Sequence, residues 1–149
     1  MNGISVRQAI LSDIEALVPL FDGYRQFYGR ESDLRGAREF LLARFNHGES
    51  TVFIAHEAGV AVGFAQLYPS FSSVSLARTF ILNDLFVDEN YRKNGAGRFL
   101  IAAAVEFAKS RGALRLTLAT AVDNKPAQAL YHSSGWKRDE QFVVYHYTI

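Results

Sequence analysis

A strand, a glycine turn and a long helix follow one another between Phe80 and Phe107, where the sequence reads FILNDLFVDENYRKNGAGRFLIAAAVEF. The apolar strand pattern ends at Val87, and residues 91–97 form a basic turn with two glycines. Glycine lets the backbone turn sharply and approach a ligand closely, because it carries no Cβ. The first amides of the next helix lack intrahelical acceptors, so this segment predicts a cradle for an anion.

The helix after the turn is predicted by apolar side chains that recur at helical spacing between residues 99 and 108. Gly112 follows, and a glycine in the left-handed conformation commonly ends a helix. Three cations, Arg92, Lys93 and Arg98, flank the glycines. Together with the positive end of the helix they favour a phosphate-rich ligand.

Composition sets further bounds on the class of protein. With 149 residues, 49% hydrophobic content and 21% charge, the chain is expected to form one soluble domain, residues 1–149. A net charge of +1 argues against a general nucleic-acid binder. The absence of cysteine excludes a disulfide framework and a thiol nucleophile, and the four histidines show no ligand spacing, so no metal site is predicted.

No apolar run approaches the roughly 20 residues that span a bilayer, so a membrane partner is not expected. The first residues also lack a charged segment followed by an apolar one, which would be typical of a secretory signal. The expected location is therefore cytoplasmic.

The first half of the chain predicts strand 4–10, a helix that begins at Ser12, and a second helix over residues 34–45. Ser12 and Glu15 have the spacing of a capping box, while Pro19 indicates a kink or a later start. A period of two then predicts a hairpin from residue 51 to residue 68, followed by a serine-rich loop over 69–75.

In the second half we expect a strand over 78–87 and another over 114–121, parallel to it across the long helix. Asn124 and Pro126 predict the start of a short helix that ends near Ser134. From residue 136 to the end of the chain, apolar and polar side chains alternate as in a closing strand, with a break near residues 139–140.

Two segments resemble the signatures of the GNAT superfamily of N-acetyltransferases. Residues 92–97 match its Gln/Arg-x-x-Gly-x-Gly/Ala cofactor motif between a strand and a helix, and residues 124–136 match Asn-x-x-Ala-x-x-Leu-Tyr-x-x-x-Gly-Phe/Trp. The resemblance covers nearly the whole chain. It implies an α/β (α+β) fold with a mixed, mostly antiparallel twisted sheet, helices on both faces and a central cleft between splayed strands.

The resemblance implies acetyl-coenzyme A as the cofactor. Its pyrophosphate would rest on the amides of residues 94–98, and its pantetheine arm would lie between strand 85–87 and the strand that ends near 119–121. The implied cofactor-binding residues are Leu85, Phe86, Val87, Arg92, Lys93, Asn94, Gly95, Ala96, Gly97, Arg98, Asn124, Ala127 and Tyr131.

The resemblance also implies direct attack of an amine on the thioester in a ternary complex. Tyr131 would give a proton to the departing thiolate, and backbone amides near residues 85–87 would stabilise the oxyanion. Asp84 is the preferred base, acting through a water chain, since Asn83 stands where polyamine-acetylating relatives carry Glu. Without the surrounding motifs, Tyr131 and Asp84 would be read as a packing tyrosine and a strand-end residue.

The acceptor is expected to be a small primary amine. The sequence is closest in pattern to the polyamine and diamine acetylating branch, and Tyr28, Glu31, Asp33 and Asp84 are the candidate acceptor-binding residues. Two alternatives remain open: acetylation of a protein lysine or N-terminus, and a non-catalytic module that senses acetyl-coenzyme A. The last strands could pair or exchange with a second copy, as is common in relatives, which would give a homodimer.

Overall fold

The computed structural model describes residues 3–149 of the chain. They fall into two compact units, the first ending at Ala119 and the second spanning Thr120–Ile149. The elements of the first unit are, in order, β1 (Ile4–Gln8), α1 (Ile14–Phe27), α2 (Leu34–His47), β2 (Thr51–Glu57), β3 (Val60–Ser72), β4 (Ala77–Val87), α3 (Ala96–Ser110) and β5 (Leu116–Thr117). Short 3-10 turns, Leu11–Asp13 and Glu89–Tyr91, precede α1 and α3, and the second unit contains α4 (Lys125–Ser133).

The five strands form one sheet in the order β1-β2-β3-β4-β5. The first four strands are antiparallel to their neighbours, and β5 runs parallel to β4. This confirms the predicted mixed, mostly antiparallel sheet. The hairpin between β2 and β3 and the parallel strand after α3 are also where the sequence pattern placed them.

Helices cover both faces of this sheet. Leu17 of α1 and Leu41 of α2 belong to one buried cluster with Ile54 and Phe64 of the sheet. On the other face, the ring of Phe107 in α3 contacts the rings of two sheet residues, with centroid distances of 5.7 and 5.4 Å. Side chains alternate between the faces of a strand, so a sheet covered twice needs apolar residues at successive positions. The run 62–67 of β3, every residue of which is buried, meets that requirement.

The predicted helix ends are confirmed. Gly48 follows α2 with φ of 61°, and Gly112 follows α3 with φ of 70°, both in the left-handed region that glycine adopts without strain. The predicted cap at Ser12 is wrong, because the 3-10 turn Leu11–Asp13 comes first and α1 begins at Ile14, the later start that Pro19 also indicated. Asp13 precedes α1 but makes no side-chain hydrogen bond to its first turn. The Asp13 carboxylate accepts a hydrogen bond from the Ile10 backbone amide at 2.7 Å. The helix then continues through Pro19.

The predicted loop over residues 69–75 is wrong for its first half. β3 continues to Ser72 and pairs with β4 through Pro69 opposite Phe80 and Ser70 opposite Thr79. Serine and proline weaken a strand only locally, and an existing hairpin partner outweighs that preference. Conversely, the strand predicted over 114–121 is laddered at only two residues, Leu116 and Thr117.

The closing strand predicted from residue 136 onward is also wrong. Residues 136–149, all of them described, contain no strand, and their alternating side chains are exposed, for example Val143 at 78% and Tyr147 at 93%. Alternation only makes a segment suitable for a half-buried strand, because the ladder itself requires a neighbouring edge. Within the second unit, this segment has no such edge.

Candidate active site

A β-bulge between β3 and β4 creates the most unusual polar site of the first unit. Gln66 pairs with Asp84, but the next residue of β3, Leu67, pairs with Leu82, so Asn83 is an extra residue in β4. Bulges of this kind redirect side chains and often occur beside functional sites. Here the bulge directs the Asp84 carboxylate into the interior.

The Asp84 side chain is buried and held by neutral donors. Its residue is 1% exposed. Gln66 Nε2 donates to Oδ2 at 2.6 Å, and Asn83 Nδ2 donates to Oδ1 at 2.7 Å. Burial raises the pKa of Asp84, and hydrogen bonds from Asn83, Gln66 and Tyr24 only partly oppose that rise. A carboxylate with a raised pKa and no cationic partner among these donors is suited to accept a proton.

The carboxylate lies on the side of the sheet that α1 and α2 cover. Gln66 is two residues from Phe64 on the same strand face, and Phe64 belongs to the cluster packed by α1 and α2. From α1, Tyr24 donates its hydroxyl to the Asn83 backbone oxygen at 3.1 Å. Burial and the nearby charge of Asp84 raise the pKa values of both Tyr24 and Tyr68.

One atom of this cluster is unsatisfied. Gln66 is wholly buried, and its Oε1 accepts no hydrogen bond from any residue that the structure describes. A buried acceptor without a donor is costly, so each such atom in a native structure needs an explanation, of which a functional role is one. The orphaned oxygen therefore supports a functional interpretation of the Asp84 cluster.

The glycine turn forms at the end of β4. Gly95 is the residue before α3, with φ of 96°, and it has no side chain to cap the helix. No side chain of Gly95 therefore competes for the first-turn amides of Ala96 and Gly97, the groups on which the predicted anion cradle depends. Lys93 adopts a φ of 71°, which is unusual for a residue with a Cβ and is typical of tight functional turns.

Two polar side chains of the turn, Arg92 and Asn94, contact other parts of the protein. Arg92 Nε donates to the Val87 backbone oxygen at 2.8 Å, and its guanidinium lies over the rings of Phe27 and Phe86. Asn94 Nδ2 donates to the Glu57 carboxylate at 3.1 Å. All four of the polar side chains at positions 92, 93, 94 and 98 are exposed. The hydrogen bond to Val87 uses only Nε of Arg92, so a phosphate-binding role for its Nη atoms does not require that bond to break.

The two parallel strands separate beside this turn. β4 and β5 pair only through Phe80 with Leu116 and Ile81 with Thr117. The remainder of β4, including Leu85, Phe86 and Val87, is laddered to β3. Gly63 permits that close pairing, since a Cβ there would lie 2.8 Å from the Phe86 backbone oxygen. The other edge of residues 85–87 is the expected splayed edge.

The second motif lies in the second unit. Asn124 caps α4 by accepting a hydrogen bond from the Ala127 amide at 3.2 Å, as the sequence predicts. The Tyr131 ring lies 6.1 Å from the ring of Trp136. These contacts account for the local fold of the motif.

The acceptor candidates lie in the loop between α1 and α2. Tyr28, Glu31 and Asp33 are all exposed. Asp33 Oδ1 accepts a hydrogen bond from the Gly36 amide at 2.9 Å, so this carboxylate caps α2. Asp22, which is buried, accepts hydrogen bonds from the Ser32 hydroxyl and the Asp33 amide and thereby fixes the loop.

A cavity of about 520 Å³ opens at this loop and is lined by Arg25, Gly29, Arg30, Glu31, Ser32 and Asp33. Both signs of charge are present on its walls. The buried Nη1 of Arg25 has no hydrogen-bond partner in the described chain. Arg25 and Arg30 therefore share the wall with Glu31 and Asp33.

Sequence reasoning missed three residues of the Asp84 cluster: Tyr24, Gln66 and Tyr68. A signal existed for Gln66, because it is the one polar side chain within the apolar run 60–67. For Tyr24 no local signal exists, since it lies 59 residues from Asn83 in the chain. Tyr68 follows the apolar run of β3, and its position only suggests the end of a strand.

The described part of the chain, residues 3–149, contains neither a membrane-spanning helix nor a metal-ligand cluster. None of the helices in that range has the length and apolar character needed to cross a membrane. No group of three or more histidine or acidic side chains in the same range could hold a metal ion.

Comparison with known proteins identifies the family. Residues 16–136 match the model of the Acetyltransferase (GNAT) family. The chain is 49% identical over 142 residues to the uncharacterized N-acetyltransferase YhfO of Bacillus subtilis strain 168, covering 95% of each protein. A crystal structure of a probable acetyltransferase is 40% identical, with a TM-score of 0.91 and 97% of each chain covered.

More distant structures share the fold alone. The aminoglycoside N-acetyltransferase AAC(6')-Iy, solved in complex with CoA, is 21% identical with a TM-score of 0.80, and the match covers 100% of this chain and 97% of that one. The family model matches 121 of the 149 residues, and the relative in Bacillus subtilis is 49% identical. The glycine turn before α3 and the unpaired end of β4 are consistent with that family. The chain belongs to the GNAT family and is an acetyltransferase.

Proposed function

We propose that this protein transfers the acetyl group of acetyl-coenzyme A to a primary amine by direct attack in a ternary complex. The observation that carries this proposal is the arrangement along β4. A buried, proton-accepting carboxylate, Asp84, stands near one end of an unladdered strand edge, and the anion cradle at Gly95 follows that strand. The cradle would hold the phosphate-bearing tail of an acyl donor, and the carboxylate would take the proton of an amine acceptor. The reaction needs these two features at opposite ends of one cleft.

The residues fit acetyl-coenzyme A. The amides of Ala96 and Gly97 can receive phosphate oxygens, with Lys93 and Arg98 exposed beside them. The open edge of residues 85–87 can pair with an amide-containing arm, because unpaired backbone groups favour a new partner. When bound, the cofactor supplies an acetyl thioester. A structural relative of the same fold holds CoA, which supports this assignment.

Asp84 is proposed to remove the proton that the acceptor amine must lose before it can attack. Its raised pKa makes it a better base near neutral pH than an exposed aspartate. Tyr131 is proposed to donate its phenolic proton to the departing thiolate, and Asn124, Ala127 and Tyr131 to contact the cofactor. These last roles rest on the motif of residues 124–136.

For the acceptor, the sequence pattern suggests a small polyamine-like amine held by Tyr28, Glu31 and Asp33. Glu31 and Asp33 line the loop cavity and can attract a cation. Arg25 and Arg30 line the same cavity and would repel a second positive charge. Because the cavity carries two positive and two negative side chains, its charge alone does not select one class of acceptor. The acceptor class is therefore the part of the proposal to test first.

The test is the release of CoA from acetyl-coenzyme A across a panel of acceptors. The panel contains polyamines, diamines, lysine analogues, aminoglycosides and basic peptides, with a tertiary amine as the control that cannot be acetylated. Release that depends on one class of primary amine would support the proposal and name the acceptor. Selective turnover of peptides would favour the protein-acetylating alternative. Tight cofactor binding with no release in any mixture would favour the sensor module.

Tyr131→Phe tests the proposed acid separately. The variant keeps the ring that faces Trp136 and removes only the hydroxyl. We expect kcat to fall about 100-fold, with acetyl-coenzyme A affinity unchanged. Wild-type turnover in this variant would remove Tyr131 from the mechanism.

We also propose that the protein forms a homodimer in the cytoplasm. The exposed apolar side chains of residues 142–149 support self-association, since a monomer rarely leaves such a strip uncovered. Light scattering on the full chain tests it, and a monomer at all accessible concentrations would contradict it. Cell fractionation tests the location.

A further inference from the structure

The walls of the loop cavity at the end of α1 are held by hydrogen bonds. The Arg30 amide donates to the Arg25 backbone oxygen at 3.0 Å, which brings the backbones of these two residues together. The buried Asp22 carboxylate accepts from the Ser32 hydroxyl at 2.7 Å and from the Asp33 amide at 2.8 Å. The cavity volume of about 520 Å³ lies within the range of roughly 300–1,000 Å³ that is typical of small-molecule sites.

Two guanidinium groups of the cavity wall have no acceptor within the chain. Across residues 3–149, neither Arg25 nor Arg30 makes a side-chain hydrogen bond or an ion pair. Arg25 is half-buried, and solvent does not reach its unpaired Nη1. A buried charged donor without an acceptor is costly, because hydration does not replace the missing partner. An anion that enters the cavity would offset this cost.

The two acidic side chains of the wall differ in their pairing. Asp33 Oδ1 accepts from the Gly36 amide at 2.9 Å, so this carboxylate is already used as the cap of α2. Glu31 makes no side-chain hydrogen bond or ion pair with any described residue. A zwitterion therefore finds a partner for each of its charges in this wall. A polycation would leave both arginines unpaired and would be repelled by them.

The last turn of α1 connects the cavity with the β4 bulge. Tyr24, the residue before Arg25, donates its hydroxyl to the Asn83 backbone oxygen at 3.1 Å. The Tyr24 ring lies 5.1 Å from the ring of Tyr28, and the next residue, Gly29, belongs to the cavity wall. This turn thus presents side chains both to the bulge that carries the proposed base and to the cavity.

We propose that the acceptor is a small amine that also carries a carboxylate, as an amino acid does, and that Arg25 and Arg30 bind this carboxylate. The planar guanidinium presents its N–H groups in a fork that matches the two oxygens of a carboxylate. Glu31 attracts the positive charge of the same molecule. The inference rests on the proposed acetyl transfer and replaces the polyamine-like acceptor, which the sequence pattern suggests, with an amino acid.

The carboxylate takes no part in the bond changes. The amine nitrogen forms a bond to the acetyl carbon, and the C–S bond of the thioester breaks. A protonated amine and acetyl-coenzyme A thus give the N-acetyl product, CoA with a protonated thiol, and one proton. The arginines contribute binding only, so their removal should raise KM for the acceptor more than it lowers kcat.

The experiment compares each amino acid with the amine that lacks its carboxylate. The pairs are lysine with cadaverine, ornithine with putrescine, and phenylalanine with phenethylamine, and CoA release gives kcat/KM for each compound. In the pair with the fastest turnover, we expect the amino acid to exceed its amine by about 10- to 100-fold, as charge-assisted hydrogen bonds would give. Phosphoethanolamine with ethanolamine tests whether a phosphate replaces the carboxylate.

Arg25→Gln tests the residue, with Arg35→Gln as the matched control. Both variants lose one positive charge and keep a polar side chain. Arg35 is an exposed residue of α2 that is paired with Glu39 at 3.1 Å and does not line the cavity. In Arg25→Gln the ratio of kcat/KM between amino acid and amine should fall to about one, whereas Arg35→Gln should keep the wild-type ratio. The ratio within one variant does not depend on the fraction of folded enzyme.

Four results would overturn the assignment. In the wild type, they are equal or faster turnover of the amines, and a preference for phosphoethanolamine without any preference for a carboxylate. In the variants, they are an unchanged ratio in Arg25→Gln and an equal loss of the ratio in Arg35→Gln, which would indicate an effect of net charge. In each case CoA release that depends on a primary amine would still support acetyl transfer. No release with any acceptor would contradict both proposals.

Discussion

Two carboxylates of the first unit are both shielded from solvent, yet their surroundings act in opposite directions. Asp13, before α1, receives two hydrogen bonds of 2.8 Å from the Arg7 guanidinium, and that contact lowers its pKa to about 2. Asp84, in the β4 bulge, receives its hydrogen bonds from neutral amides, and burial raises its pKa. A cationic partner fixes the charge and serves structure, whereas neutral donors at a buried position keep the carboxylate suited to accept a proton.

The largest expected effect is a loss of kcat at Asp84 but not at Asp13, which separates a catalytic carboxylate from a structural one. We expect Asp84→Asn to lower kcat about 100- to 1000-fold, because the amide cannot accept the proton of the amine. Acetyl-coenzyme A affinity should be unchanged, since the proposed anion cradle lies on the turn before α3 and not at Asp84. The same substitution at Asp13 is the control and should leave kcat unaltered. Steady-state kinetics and calorimetric binding check both, and equal kcat in wild type and Asp84→Asn would refute the base.

A smaller effect on stability is expected at the other carboxylate. Arg7→Ala should lower Tm by a few degrees at pH 7, because it removes both hydrogen bonds to Asp13. The effect is moderate because the Arg7 side chain is 52% exposed and its charge is screened. Catalysis should not change. Scanning calorimetry measures the shift, and a variant as stable as the wild type would show that the pair contributes nothing.

The smallest expected effect concerns the pH dependence of stability. The contributions of Asp13 and Asp84 to the free energy of unfolding should change in opposite directions as pH rises. Asp13 has a lowered pKa, so its contribution to stability is present above its ordinary pKa of about 4 and is lost as pH falls through about 2. Asp84 has a raised pKa, so its contribution is complete below about 4 and is lost as pH rises through the raised value.

Denaturant titrations at several pH values test this difference. Asp84→Asn should gain stability relative to wild type as pH rises from about 4 through the raised pKa of Asp84. Arg7→Ala should approach wild-type stability as pH falls towards about 2. Parallel curves for wild type and Asp84→Asn would contradict the raised pKa.

Most of the fold of the first unit was predictable, because its signals are local. Helical spacing after Gly95, the hairpin near residues 57–60 and the glycine stops at Gly48 and Gly112 each depend on residues adjacent in the chain. The start of α1 and the extension of β3 through Pro69 were not predictable in this way. For β3, pairing with β4 outweighs the local preference. Before α1, the Asp13 carboxylate bonds to Arg7 and to the Ile10 amide, contacts that the local pattern does not reveal.

The candidate site was predictable to the same extent and for the same reason. The proposed anion cradle consists of successive backbone amides, so the turn sequence suffices to locate it. The Asp84 cluster consists of side chains from α1, β3 and β4, and only Gln66 left a trace in the local pattern. Asp84 was identified through the family resemblance and its place near the end of an apolar strand, while Tyr24 went unrecognised.

The sequence by itself determined the glycine turn, the long helix behind it and the family. Only the tertiary structure decided that Asp84 is buried beside Gln66 and Tyr24, that Arg92 turns back to Val87, and that residues 136–149 form no strand in their unit. Backbone turns and helix caps depend on dihedral preferences of neighbouring residues, which sequence records directly. Burial, bulges and strand pairing depend on which distant segments meet, and no local preference encodes that.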